Sequence, residues 1–558
     1  MYKKNNLVSS NLILILLFLA FLLVRLLNLQ ADFPKSLNFY PDELTDEGYK
    51  TYSARNMALF KSSALEGDQY IGWIRNSPVS QYIFLLFFNI FGIGYAQARL
   101  AGIVFSFLGL IFYYLLIKNA FGKKTALLSA FFLGFSYVYI MYNRLALLES
   151  IMIFFLMLSL YFWQKSFKNR FYFSLSMLSF VLAYYTKALA LFFIPVFLIM
   201  AYMSFKEIEL KLTSLKIILI GLASLAVIVF VVPKIVSTAL SLIDFRGTLS
   251  FPQMLVNLRR LLHNSFFKQT LVISLLSLVY PLVLFYNIFE IRKKVNNLEV
   301  LFLAWLVSLI AAFGISWYDP HRYLILFIPC MSFLGAIVLA NLHDYPIRKK
   351  IMAKSLFMKI SVFLWLNSVF IIFLVNVYVV LRDYIHLTKS YYMVVSILAS
   401  LLLSYLIIIL ARGRKFNTKY LRRSVVLISL LFIVTNLYPY MSWILSPQYT
   451  LIDASRELSL LPKDSVVFGG WAPALCLETE LKCFNSGGTK NVDEDAFRRL
   501  DVSHLLIGPY DFDEHGAEFM NNPNYNRSIS LVKTFNVSDN NIDLYRVNRA
   551  VYHGLENG

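Results

Sequence analysis

The chain has 558 residues, of which 58% are hydrophobic and 15% charged, where a soluble globular protein carries roughly 25% charged residues. Water is therefore excluded as its main solvent. A net charge of +20 would suggest a nucleic-acid partner in a soluble protein, but here the Lys and Arg residues cluster between apolar runs, the mark of positive-inside membrane topology, and no nucleic acid is expected.

In chain order the apolar runs predict spans near 11–28, 99–117, 125–142, 148–164, 171–186, 188–205, 216–233, 269–289, 299–316, 323–341, 360–381, 393–411 and 424–442. Most are long enough to cross a hydrocarbon core of about 30 Å at 1.5 Å per residue. The first run has no small-residue cleavage site and reads as a retained span. Alternate loops carry the positive charge, from Lys3/Lys4 and Lys118/Lys123/Lys124 to the run Arg412 to Arg423, and these are read as cytoplasmic.

One apolar segment, Gln81 to Gly94, is too short to span: as a helix it reaches only about 21 Å. Counting it as a span would also invert the charge pattern on either side of it. It is read as a helix in the membrane interface, within a first extracytoplasmic loop at 29–98. The N-terminus then faces the cytoplasm, and everything after residue 442 lies outside.

The chain divides into a membrane domain, 1–445, and an extracytoplasmic domain, 446–558. In the second, short apolar runs at 465–469, 503–508 and 543–547 read as strands, and 452–461 and 494–500 as helices, which predicts a small α/β domain. Cys476 and Cys483 there, with six residues between them, lie in a compartment where a disulfide can persist, and the sequence leaves open whether they form one. The third cysteine, Cys330, lies in an apolar run, and the three make no metal-ligand pattern.

Charged residues at the extracytoplasmic ends of spans run against the topological bias, and charge near lipid is costly unless paired or functional. They are Asp42, Glu43, Asp46 and Glu47 in the first loop, Arg144 and Glu149, Lys187, Arg259/Arg260, and Asp319/His321/Arg322. Acids and bases thus gather on one membrane face. Arg and Lys can neutralise a phosphate leaving group, and a carboxylate can take a proton from an acceptor hydroxyl.

These residues also carry a resemblance. Tyr40-Pro-Asp-Glu-Leu-Thr-Asp-Glu-Gly-Tyr49, Tyr52-Ser-Ala-Arg-Asn56, Ala98-Arg-Leu-Ala-Gly102, Phe121-Gly-Lys-Lys124, Arg144-Leu-Ala-Leu-Leu-Glu149, Thr186-Lys-Ala188 and His321-Arg-Tyr-Leu-Ile-Leu-Phe-Ile-Pro329 resemble the C-type (GT-C) glycosyltransferases of the protein O-mannosyltransferase and lipid A aminoarabinose transferase clan. The resemblance covers residues 1 to about 340.

It implies a polytopic α-helical fold with an extracytoplasmic tail. It also implies transfer of a sugar, with inversion, from a polyprenyl phosphate (dolichyl or undecaprenyl) to a protein, lipid or cell-surface glycan. Asp46 is then the first-loop acid and base, with Glu47 beside it and Asp42 as the alternative, and Glu149 is a second acid that orients the acceptor or a cation. Arg144, Lys187 and Arg322, with Arg259 and Arg260, are the expected phosphate partners. No cofactor is fixed by this reading, and a divalent cation is left open. The sequence departs from the clan at Asn76-Ser-Pro78, where a basic residue often stands before Pro-Pro; Arg75 is the substitute.

Two rival classes remain. A flippase for lipid-linked oligosaccharides would show charges at span midpoints and repeated halves. A membrane scaffold would leave the convergence of acids and bases unexplained.

Overall fold

The structure, a computed structural model, describes residues 2–35, 37, 42–68, 77–206, 251–289, 295–315, 320–340, 418–486, 499–508 and 528–549. The spans expected at 216–233, 360–381 and 393–411 lie outside these residues, as do Arg75 and Asp319, so the count of thirteen is not read from the fold.

Among the described residues four helical stretches are long and apolar enough to cross a membrane: Tyr95–Phe135, Leu148–Ser166, Asn297–Gly314 and a segment within Val425–Leu458. The first helix, α1 (Tyr2–Leu26), exposes Leu12, Ile13, Leu16, Leu19 and Leu23. A contiguous apolar belt of this kind faces lipid rather than water.

Helix α2 (Asp42–Phe60) is polar and largely buried. Helix α3 (Pro78–Phe91) begins at a proline, which suits the first helical turn, and spans 14 residues, as expected for the segment too short to cross. It buries Ser80, Gln81, Phe84, Phe87 and Phe88 and exposes Tyr82, Leu86, Ile90 and Phe91. Helix α4 (Tyr95–Phe135) is broken at Gly122, where φ is +80°, so the span expected at 99–117 lies in its first half and the one expected at 125–142 starts in its second half and runs on past its end. A further break at Ser136 sets off α5 (Tyr137–Asn143).

Helices α6 (Leu148–Ser166) and α7 (Phe171–Thr186) form a tight antiparallel pair. Ser159 Oγ donates to the Ser176 carbonyl at 2.9 Å and Ser176 Oγ to the Ser159 carbonyl at 2.8 Å, so two small residues hold the helices close without a polar group left over. Lys187 follows in an extended conformation, and the expected span 188–205 starts as a 3-10 turn, Ala188–Phe193, before α8 (Ile194–Lys206).

The amphipathic α9 (Phe251–His263) precedes α10 (Leu271–Phe289) and α11 (Asn297–Ile315). The expected span 323–341 is divided into a short α12 (His321–Leu324) and α13 (Phe327–Ala340), every residue of which is buried. Phe302 of α11 packs on Phe333 of α13, with ring centroids 4.5 Å apart, at the centre of the bundle. Helix α14 (Thr418–Leu445) lies at the lipid-facing edge, with Leu427, Leu430, Leu431 and Val434 exposed.

The C-terminal domain starts with α15 (Thr450–Leu458) and holds a five-stranded sheet of order β2-β1-β3-β5-β4. Strands β1 (Val466–Phe468), β3 (His504–Ile507) and β5 (Asn540–Val547) match the expected runs. Two strands were not among those runs. The short β2 (Lys482–Phe484) has only three residues, and the edge strand β4 (Ile529–Val537) exposes Leu531 and Val532, which blurs the alternation that marks a half-buried strand. A two-residue turn, Ser538 and Asp539, both at positive φ, joins β4 to β5. The sheet is mixed: β1 runs parallel to β2 and β3, and β5 antiparallel to β3 and β4. Of the expected helix 494–500, only Arg499 and Leu500 are described.

Candidate active site

Helix α2 is fixed from two sides. On one, Gly48 lies against the short helix α16 (Ala472–Leu475), where a Cβ would come within 2.3 Å of the Ala474 nitrogen. Only glycine allows that approach. Around this contact Tyr49 donates to the Gly470 carbonyl at 2.7 Å and Tyr52 to the Cys483 carbonyl at 2.8 Å. Arg55 Nη2 donates to the carbonyls of Thr479 and Leu481, both at 2.8 Å. All of these acceptors lie in or next to the loop closed by the Cys476–Cys483 disulfide, which settles the question the sequence left open. On the other side, Gln81 of α3 accepts from the Ala54 N–H at 3.1 Å and donates to the Lys50 carbonyl at 2.7 Å, clamping one turn of α2.

Held in this way, α2 presents two successive acids to different partners. Glu47 forms a buried bidentate pair with Arg99 of α4, at 2.9 and 2.6 Å, and also accepts from the Ala146 N–H at 2.8 Å. Arg99 in turn donates to the carbonyls of Leu29 and Ala31, both at 2.8 Å. Glu47, expected beside Asp46 as a catalytic acid, is thus the knot that ties α2 to α4 and to the turn before α6.

Asp46 faces another way, into a cluster of cations. Its Oδ2 is ion-paired with Arg322 Nη1 and its Oδ1 lies 3.3 Å from Lys50 Nζ. Lys187 ion-pairs with Glu149 Oε1 and lies over the Tyr323 ring, 4.1 Å from its centroid; Arg322 lies 5.4 Å from the same centroid. Tyr323 therefore lies between the two ion pairs. The second oxygen of Glu149, Oε2, is buried with no hydrogen-bond partner among the described residues.

Among the described residues, three cations thus surround two carboxylates, all five nearly inaccessible to solvent, with one positive charge in excess. Burial pushes the Asp46 carboxyl up, but the attractions of Arg322, Lys50 and Lys187 together outweigh it and hold the group below its ordinary value. Burial also pulls the Lys50 ammonium down, and the attraction of Asp46 only partly restores it.

Of the expected residues, then, the fold brings together Asp46, Glu149, Lys187 and Arg322. It adds Lys50 and Tyr323, which the sequence reading did not single out. The signal for Lys50 was its place four residues after Asp46 on one helix, the spacing at which an acid and a lysine meet. For Asp42, the first residue of α2, only the backbone position is described.

Arg144 is engaged elsewhere. Its guanidinium donates to the carbonyls of Arg25, Leu27 and Asn28, at 2.7, 2.6 and 2.5 Å, and lies 4.5 Å from the Trp443 ring centroid. It therefore satisfies the bare C-terminal end of α1, a place where positive charge is favoured. Burial, and secondly repulsion from Arg99, lowers its pKa to about 9. On α9, Arg259 is exposed and Arg260 half-buried. His321 bonds Ser265 Oγ through Nε2 at 2.9 Å and packs against Phe266, and burial lowers its pKa to about 4. No group of three or more His, Cys, Asp or Glu side chains that could hold a metal occurs among the described residues, and a cation already stands at each of Asp46 and Glu149.

Fold and cluster together define a polytopic helical membrane protein with a dense site of acids and bases where its bundle meets a C-terminal α/β domain. Residues 75–236 match the model of the family described as dolichyl-phosphate-mannose-protein mannosyltransferase. No curated protein matches the chain. Among solved structures, ArnT from Cupriavidus metallidurans in the apo state aligns with a TM-score of 0.54 at 13% identity, over 98% of this chain and 99% of that one. ArnT from the same organism bound to undecaprenyl phosphate aligns with a TM-score of 0.53 at 13% identity, over 95% and 97%. The chain thus resembles the GT-C clan in sequence over that segment, and it has the ArnT-like fold over nearly its whole length.

Proposed function

We propose that the protein is a membrane glycosyltransferase that moves a sugar from a polyprenyl-phosphate donor to a protein, lipid or glycan acceptor on the extracytoplasmic face. The observation that carries this reading is the buried cluster in which Arg322, Lys50 and Lys187 surround Asp46 and Glu149 with one positive charge in excess. A phosphodiester headgroup supplies the missing negative charge, and its two free oxygens suit the guanidinium fork of Arg322. The undecaprenyl phosphate bound to ArnT, and the mannosyl-phosphate lipid in the matched family's name, support a donor of this class.

In the proposed reaction the acceptor oxygen attacks the anomeric carbon while Asp46 takes its proton. The bond from that carbon to the phosphate oxygen breaks, and its electron pair leaves with the phosphate. Arg322, Lys187 and Lys50 neutralise the charge as it develops, which is where electrostatic catalysis acts most strongly. In this reading the Glu149 oxygen that has no partner among the described residues accepts a hydrogen bond from the sugar or the acceptor. Attack from the side opposite the phosphate inverts the anomeric carbon. The alternate positive loops support an orientation with the N-terminus in the cytoplasm and the C-terminal domain outside.

The test is incubation of the purified protein in lipid vesicles with a panel of radiolabelled polyprenyl-phosphate sugars and membrane extract. The reading expects label in a new covalent product. Label that only crosses the bilayer, still on its carrier, would instead make the protein a flippase.

A further inference from the structure

We propose that Asp46 is held in reserve by Arg322 and Lys50, and that a bound donor phosphate arms it as the base by drawing both cations away. The inference rests on the proposed function and concerns how that site is controlled. In the structure each carboxylate oxygen of Asp46 has its own cation: Arg322 from α12 on Oδ2, and Lys50 from its own helix on Oδ1. Among the described residues, the other charged or titratable groups facing this pair include Lys187 and Tyr323, with Glu149 bound to Lys187.

A carboxylate engaged at both oxygens is a weak base, because a proton must displace a cation to reach it. The same two cations are the ones a phosphodiester would use. Arginine binds a phosphate as readily as a carboxylate, through two parallel hydrogen bonds. Lys187 can contribute only at the expense of Glu149.

When the phosphate occupies Arg322 and Lys50, Asp46 becomes a buried carboxylate that has lost its partners and has gained an anion nearby. Burial and like charge both raise proton affinity, so the change runs in one direction. The acceptor proton can then move to Asp46 as the new glycosidic bond forms. When the phosphate leaves with its lipid, the cations return and the base is quenched. Transfer is thereby coupled to a seated donor, and an acceptor that arrives first meets a carboxylate unable to take its proton.

A phosphodiester keeps a single negative charge across the working pH range, so any proton taken up on binding belongs to the protein. The experiment is calorimetric titration of the full-length protein in lipid nanodiscs with citronellyl methyl phosphate, in two buffers of different ionisation enthalpy, at about pH 5 and pH 8. The expected result is binding with uptake of a substantial fraction of one proton near pH 5; at pH 8, where Asp46 stays ionised, any uptake belongs to Lys50, whose ammonium burial holds below its ordinary value, and is shared by Asp46→Asn. Asp46→Asn should bind at least as tightly, with no uptake near pH 5.

Infrared difference spectra of the wild type supply a readout that needs no variant, since a protonated carboxyl band should appear near pH 5 when the probe is added. Near pH 5, binding without proton uptake, equal uptake in Asp46→Asn, or no new carboxyl band would overturn the inference while leaving the donor site standing. Absence of any binding would overturn both.

Discussion

Asp46 and Arg322, 276 residues apart in the chain, meet as a buried ion pair that joins the first loop to the turn before α13. That pair brings the charged cluster together from two distant stretches of sequence. Replacing Arg322 or Lys187 by Ala should weaken binding of a polyprenyl phosphate by about ten- to a hundredfold, because charge-assisted contacts to phosphate are worth roughly 1.5–3 kcal/mol each. Arg144→Ala should leave that affinity unchanged and instead lower the thermal midpoint, since it uncovers three carbonyls at the end of α1. Affinity measured on detergent-solubilised variants, alongside thermal melts, separates the two roles. Equal loss of affinity in Arg144→Ala would return it to the donor site.

Glu47 and Asp46 are neighbours whose replacements should differ in degree. Glu47→Ala leaves Arg99 buried without its carboxylate, and breaking a buried pair from one side costs about 3–5 kcal/mol. The yield of folded protein should fall steeply. Asp46→Asn also takes a buried carboxylate from its cations, Arg322 and Lys50, but leaves them an amide oxygen, so it should still fold and melt below the wild type by less than Glu47→Ala. A stable Glu47→Ala enzyme with normal melting would show that this knot is not structural.

Much of this was legible in the sequence, and the exceptions have physical causes. The membrane class, the short apolar helix at Pro78–Phe91, the small C-terminal sheet and four of the clustered charges follow from hydropathy, length and charges placed against the topological bias. The roles of Glu47 and Arg144 did not follow, because a charge at a helix end looks the same whether it faces a ligand or a row of bare carbonyls. Lys50 was hidden in the opposite way. On a polar helix an acid and a lysine four apart read as a solvated surface pair, and only the packing of α2 between α3 and the C-terminal domain makes it a buried one.

His321 gives a pH dependence with a definite sign. Burial lowers its pKa from 6.5 to about 4 in the folded protein. Between those values the unfolded chain binds the extra proton, so stability falls as the pH drops from 6.5 towards 4, by roughly 3 kcal/mol at the full extent. Thermal melts of the wild type and His321→Gln across that range should differ in slope, with the variant less sensitive to acid. Parallel curves would mean that the imidazole titrates normally.

The contact between α2 and the disulfide-closed loop predicts control of turnover from outside the cluster. Gly48→Ala forces a methyl group into the backbone of α16 and should displace α2, lowering the transfer rate more than it weakens donor binding. Replacing both Cys476 and Cys483 by Ser should destabilise the fold by about 2–3 kcal/mol for so short a loop. Kinetics of Gly48→Ala showing an unchanged rate would argue that the C-terminal domain does not position the helix.

The most direct test of the account is the single-turnover rate of sugar transfer from a radiolabelled polyprenyl-phosphate donor by wild type, Asp46→Asn and Asp42→Asn. Asparagine keeps the shape of aspartate but cannot accept the proton. Asp46→Asn should therefore lose about 10²–10⁴ in rate while still binding the donor, and Asp42→Asn should stay near the wild type. Full activity in both variants, or a loss confined to Asp42→Asn, would contradict the assignment of Asp46 as the base at the centre of this site.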